Sequence, residues 1–292
     1  MAIPVVSGIH FQHSEFALTV WHLNQPVPAV NILLIYAHPE SRSLNGSLRD
    51  FAIAHLKAKG HDVEVSDLYK MQWKATLDPD DTPGYDHQKP FNPAVESQRV
   101  FAAGAQPKDV EIEQAKLLWA DAVVFQFPMW WFSMPAILKG WVDRVYAYGF
   151  AYGVGEHSER HWGDRYGEGT LAGKRAMLAV TMGGWESHYS ERGVSGALND
   201  VLFPIQHGIL FYPGFTVLPP FPVYKTSKVD DARFDQLCTA YATRLDNLFT
   251  DQPLPFRRQN AGDYDIPALT LKPHIAPGRH DLGIHLTGSD ET

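Results

Sequence analysis

The chain has 292 residues, of which 45% are hydrophobic and 20% charged, an ordinary balance for a globular protein with a sizeable core. A formal net charge of -8 excludes a general affinity for nucleic acid or anionic lipid, while leaving room for a local pocket for an anionic ligand. The single cysteine, Cys238, excludes a disulfide scaffold and fits a reducing cytoplasm; no apolar run is long enough for stable membrane insertion, and the opening residues do not read as a signal peptide.

Residues 1–30 carry no clear period and read as an extension. Ile32 to Tyr36 is a short continuous apolar run, the mark of a strand buried on both faces. Leu48, Phe51, Ala52 and Leu56 then recur with helical spacing and stop at Gly60. "DVEVSDLY" alternates as a second strand, "DVEIEQAKLLWAD" predicts a helix, and "AVVFQF" a third strand. "PAILKGWVDRVYAYG" predicts a helix with Pro135 in its first turn. "GKRAMLAVTMGG" is a fourth strand closed by two glycines. "SGALNDVLFPIQHGIL" is helix-like, "GFTVLPPFPVY" gives a short fifth strand, and "DDARFDQLCTAYATRLDNLF" is the last strong helix.

Strands alternating with helices predict an α/β fold: a doubly wound, five-stranded parallel sheet in order 2-1-3-4-5 with helices on both faces, over residues 31–252. Residues 253–292 read as an irregular tail packing on the domain or on a second subunit. The long connections 68–110 and 150–173 are of a length that usually serves a site or an interface. Ligands of such a sheet bind beyond the carboxyl ends of the strands, which selects "AHPESRSLN", "PMWWF" and "TMGGWESHYS". In the first, His38, Ser41, Ser43 and Asn45 precede a helix N-terminus and can hold a phosphate, or simply cap the helix. In the third, Gly183 and Gly184 let backbone approach a ligand, or make a tight turn. With the aromatics of the second they suit a planar, phosphate-bearing cofactor such as a flavin.

At "AHPESRSLN", "SDLY", "QFPMWWFSMPAILKGWVDRV", "FAY", "TMGG", "PIQHGIL" and "DDAR" the chain resembles the flavodoxin-like NAD(P)H:quinone oxidoreductases, the DT-diaphorase family, from Asn31 to about Pro255. The resemblance implies a cytoplasmic homodimer with FAD, rather than FMN, in two shared sites. Quinones would be reduced by two-electron hydride transfer from NAD(P)H through flavin N5, in a ping-pong cycle. It also implies that His38, Ser43, Leu44 and Asn45 hold the pyrophosphate and ribityl region, and that Asn92 stands where the family has a glutamine. Pro128, Met129, Trp130, Trp131 and Phe132, with Thr181, Met182, Gly183 and Gly184, would border the isoalloxazine, and Tyr189 its pyrimidine edge. Asp143 and Arg233 match residues near the adenosine, Asp143 reaching the partner's. Trp131, Phe132, Tyr152, His188 and Tyr212 would shape the substrate slot, with Tyr189, Gly183 and Gly184 balancing charge in catalysis. One departure is Ser195, where mammalian members have histidine; it removes an imidazole titrating near working pH.

Other acceptors (azo or nitro compounds), a one-electron carrier, and a flavin-binding subunit docked on a transporter are the rival readings. Trp141 and Tyr146 read as dimer core. His157 and His161 have metal-ligand spacing, but a third ligand is not evident and they read as solvated loop; His207 reads as a lone helix residue, so no metal site is expected. "RR" at 257–258 is too short for a nucleic-acid patch.

Overall fold

The computed structural model describes residues 29–288, so nearly all of the expected N-terminal extension lies outside them. The apolar runs become β1 (Asn31–Tyr36), β3 (Ala122–Pro128) and β4 (Arg175–Thr181), and the alternating run becomes β2 (Asp62–Asp67). All pair in parallel, in the order β2-β1-β3-β4-β5 that the βαβ pattern predicts. The fifth position is split. β5 (Thr216–Val217) and β6 (Phe221–Val223) both pair with β4, on either side of Pro219 and Pro220. Proline has no amide hydrogen for the ladder, so an edge strand tolerates this interruption where a central one would not.

Helices α1 (Leu44–Ala58), α2 (Pro93–Ala102), α3 (Lys108–Trp119), α4 (Ala136–Val145), α5 (Leu198–Ile205) and α6 (Asp231–Asp246) cover the sheet. Side chains alternate across each strand, so Ile32, Leu34, Val124 and Met177 meet α1 and α6 on one face. Leu33, Ile35, Phe125 and Leu178 face the other, against α3 and α4. α2 was not expected: it lies in the connection 68–110 and, of its ten residues, buries only Val100, so it is short and adds little to the core. Its start is nonetheless marked by Asn92 as N-cap followed by Pro93. α5 contains Pro204 and continues as a π-helical segment, Gln206–Phe211.

Trp141 corrects the dimer-core expectation. It is fully buried in this chain's own core, edge-on to Phe125, and its indole N–H donates to Glu113 Oε2 at 2.8 Å. Tyr146 is buried beside it, and burial raises its phenol pKa. Among the described residues no helix is long and apolar enough to cross a membrane.

The tail lies against its own chain. The Leu254 amide donates to the Val217 carbonyl at 2.8 Å, and Phe256 is buried against Phe203, His207 and Phe211. His207 is sandwiched between Phe203 and Tyr166, each with ring centroids 4.7 Å away. Burial, with His285 nearby, pushes its pKa down to about 4. The unfolded chain therefore binds a proton near pH 6.5 that the folded chain refuses until about pH 4. Stability is unaffected above that window and falls as pH drops through it, by up to about 3 kcal/mol. His207→Phe is expected to flatten this acid limb, as read from urea unfolding between pH 7 and pH 4.

Candidate active site

The carboxyl ends of β1, β3 and β4 meet along one edge, where a groove of about 260 Å³ opens. The first loop contributes His38, Ser43, Leu44 and Asn45; the third, Pro128, Met129 and Trp130; the fourth, Thr181 and Gly183. Thr226 completes the wall. It follows the last strand at the same edge, so the rule that selected the other loops could have found it.

Several close approaches build the first loop. His38 Nδ1 accepts from the Glu40 amide at 3.1 Å and stands 3.0 Å from Ser43 Oγ. Ser43 is the N-cap of α1, its hydroxyl accepting from the Gly46 amide at 3.2 Å and donating to the Glu40 carbonyl at 2.7 Å. Ser43 thus does cap the helix. The amides of Leu44 and Asn45, in the first turn, have no helix carbonyl to meet and remain donors at the groove. A Cβ on Gly46 would stand 1.8 Å from the Ser41 carbonyl oxygen, so only glycine lets the loop fold back over the helix.

Beneath the groove runs a buried chain of side-chain hydrogen bonds. Tyr241 of α6 donates to Gln126 Oε1 at 3.1 Å, and Gln126 Nε2 donates to the Asn45 carbonyl at 2.6 Å. Asn45 Nδ2 then donates to Thr181 Oγ1 at 2.6 Å. Asn45 is only 4% exposed, yet its Oδ1 is buried without a partner among the described residues. A buried acceptor left unpaired costs about 1–3 kcal/mol, and a ligand donor at the groove would relieve it.

Pro128 pairs with Thr181 in the β3–β4 ladder, and the Met129 amide donates to the Thr181 carbonyl at 2.9 Å. Trp130 and Ser133 exchange backbone hydrogen bonds across Trp131 and Phe132, which have φ of 52° and 61°. Two successive left-handed aromatics are costly and need a cause outside local preference. The turn throws Trp131 out of the groove, leaving it 95% exposed and Phe132 half-exposed. The shelf inside the groove is therefore Pro128 to Trp130.

Neither Gly183 nor Gly184 has a positive φ, so the pair does not serve a left-handed turn. Space is the reason. A Cβ at Gly183 would meet nothing within 4 Å and would project into open volume. One at Gly184 would stand 3.0 Å from Tyr189 Cε2 and 3.5 Å from its hydroxyl. Tyr189 thus closes onto the loop, packed against Tyr224. Met182 faces away, 1% exposed in the core, and His188 is exposed and stacked on Trp185. Arg233 lies in a neighbouring basin with Trp185, Tyr224, Lys225 and Lys228.

Four expected site residues stand elsewhere. Asp143 and Tyr152 line a cleft whose wall includes Pro93, next to Asn92, and Asn92 caps α2 by accepting from the Val95 amide at 3.3 Å. Asp143 pairs with Lys139. Tyr212 packs edge-on to Tyr166 at 4.9 Å and accepts from Arg165 at 3.5 Å. Burial, and then the nearby Tyr212 phenol, raise the pKa of Tyr152.

The family model described as a flavodoxin-like fold matches residues 30–245. The chain is 52% identical to a ribosyldihydronicotinamide dehydrogenase-like protein, traD, of Penicillium crustosum, over 90% of this chain and 98% of that one. It is 38% identical to the human ribosyldihydronicotinamide dehydrogenase [quinone], over 77% of this chain and 94% of that one. This chain belongs to the flavodoxin-like NAD(P)H:quinone oxidoreductases. It is thus an oxidoreductase. A crystal structure of a candidate quinone reductase from Klebsiella pneumoniae is 62% identical, covers 88% of this chain and all of its own, and superposes with a TM-score of 0.87.

Gly46→Ala is expected to displace the 38–45 loop, because the obstacle is backbone rather than a movable side chain. The cost is about 1–3 kcal/mol, read from urea unfolding, with the amide resonances of Leu44 and Asn45 shifted.

Proposed function

We propose that the chain is an FAD-dependent NAD(P)H:quinone oxidoreductase of the cytoplasm that works as a homodimer. The observation that carries the flavin reading is the groove's set of unpaired donors and acceptors beside open space. Free first-turn amides, the orphaned Asn45 Oδ1 and the open volume at Gly183 fit a group that has phosphate oxygens, polar edges and a flat ring. FAD, when bound, supplies two-electron hydride chemistry, taking reducing equivalents from NAD(P)H and passing them to a quinone in alternate half-reactions.

The chain's own residues divide the work. Ser43, Leu44 and Asn45, beside His38, would hold the phosphate and ribityl region, while Pro128, Met129, Trp130, Thr181 and Gly183, which line the same groove, would bound the ring. Tyr189, packed against the Gly184 end of the loop, would offer a phenol donor to the ring edge. Arg233 and its basin suit an adenosine diphosphate half, which favours FAD over FMN.

The dimer reading rests on what one chain leaves apart. Tyr152 and Asp143 share a cleft beside Asn92 that is separate from the groove, and exposed Trp131 and Phe132 form an apolar rim. A second copy laid across the rim would bring its Tyr152 and Tyr212 over the first copy's groove and exclude water from it. Quinones would enter that slot.

The purified protein is expected to be yellow, to release FAD on heating, and to oxidise NADH or NADPH rapidly only when a quinone is added. Reduced nicotinamide riboside belongs in the same screen, given the names of the relatives, and an azo dye tests the rival acceptor. A colourless protein that takes up no added flavin would sink the proposal. Gly183→Ala should leave the unfolding temperature of the flavin-free protein unchanged while weakening flavin binding, since its Cβ meets only ligand space. Tyr189→Phe should slow flavin reduction about tenfold or more in stopped flow, with flavin still bound; an unchanged rate removes Tyr189 from catalysis.

A further inference from the structure

The connection 150–173 contains a second group of reactive side chains that does not line the groove. His157 and His161 attract notice in sequence, but the structure separates them. His157 packs edge-on to Trp162, with ring centroids 5.0 Å apart. His161 turns instead toward Asp164 and Glu168, and one donor atom from each of the three lies within 4.8 Å of the others. The imidazole Nε2 and Asp164 Oδ1 are 2.8 Å apart. With His157 turned aside, the second and third ligands beside His161 are two carboxylates further along the same connection.

Charge is the unbalanced feature of this cluster. Among the described residues neither Asp164 nor Glu168 pairs with a lysine or an arginine; the one ion pair in the cluster is His161 with Asp164, and it requires a protonated ring. Arg165 is next in the chain to Asp164 but is directed elsewhere, to Gln259 Oε1 at 2.7 Å and to the Tyr212 hydroxyl. Two half-buried carboxylates held this close repel unless a proton or a cation stands between them. Asn260 of the tail also fixes Glu168 from behind: its Nδ2 donates to Glu168 Oε2 at 2.6 Å and to the Gly163 carbonyl at 3.0 Å. Its Oδ1 accepts from the Trp162 amide at 3.2 Å. A carboxylate oriented by an outside amide, with its second oxygen left over, is the usual support of a metal ligand.

We propose that His161, Asp164 and Glu168 bind a divalent transition cation of the Zn²⁺ type, with water filling the remaining coordination. One imidazole with two carboxylates suits zinc better than magnesium or calcium, which take oxygen ligands alone. The cation ties the 150–173 connection to Asn260 of the tail, so its effect is on the stability of that corner. The site is independent of the flavin reading, because none of its ligands lines the groove.

Full-length protein, stripped with EDTA and dialysed, is titrated with ZnCl₂ by calorimetry, and its thermal unfolding is followed with and without zinc. One saturable site per chain and a raised unfolding temperature are expected. Asp164→Asn and Glu168→Gln keep side-chain shape but remove a ligand charge, and should each weaken zinc binding by more than the roughly 10–100-fold expected for loss of an outer partner. His157→Ala should bind as the parent does. Unfolding of every variant in EDTA confirms that it is folded. The proposal is overturned by the absence of saturable binding, by binding that survives the double variant D164N/E168Q, or by loss of binding in His157→Ala alone.

Discussion

The site depends on one buried chain of hydrogen bonds, from Tyr241 through Gln126 and Asn45 to Thr181. It links the last helix, the central strand, the first loop and the fourth strand, four elements far apart in sequence. Each member is buried, so each bond is made where water cannot replace it, and loss of one partner strands the other. The groove's edge is rigid for that reason. The first loop is held at its helix end by Asn45, and the Thr181 end of β4 is held to the same side chain.

On that frame, the loops are shaped by what they omit. Gly46 has no Cβ because Ser41 occupies its place, and Gly184 has none because Tyr189 packs there. Gly183 omits one for a different reason, since nothing of this chain fills the space. The aromatic turn at Trp131 and Phe132 shows the opposite economy. Two bulky residues are held in a left-handed conformation and presented to solvent, a strain that their local preferences do not explain.

The far side of the molecule is organised by the tail. Phe256 and His285 bury His207 between aromatic rings and keep it neutral, while Gln259 and Asn260 hold the 150–173 connection by its backbone carbonyls and amides. A connection without strands of its own thereby gains a fixed course. That course gathers His161, Asp164 and Glu168 and leaves His157 aside.

Much of this protein could be read from the sequence alone. Apolar runs such as Ile32–Tyr36, and Val123–Phe127 with its single polar Gln126, mark buried strands, and their alternation with helices predicts the parallel order that is found. The carboxyl-edge rule then selected most of the residues lining the groove, because strand ends are local features. Other features were settled only in three dimensions. α2 buries a single side chain, so nothing in the core required a helix within that long connection. Trp141 looked like an interface residue because its helix is short and amphipathic, and only the packing of α4 on β3 and α3 shows that the apolar face is already covered. Trp131 and Trp130 are adjacent in the sequence, yet a turn with positive φ sends one out of the groove and keeps the other in. The sequence determined which segments reach the site. Tertiary contacts between distant segments decided which way each side chain faces, because that depends on neighbours no local pattern encodes.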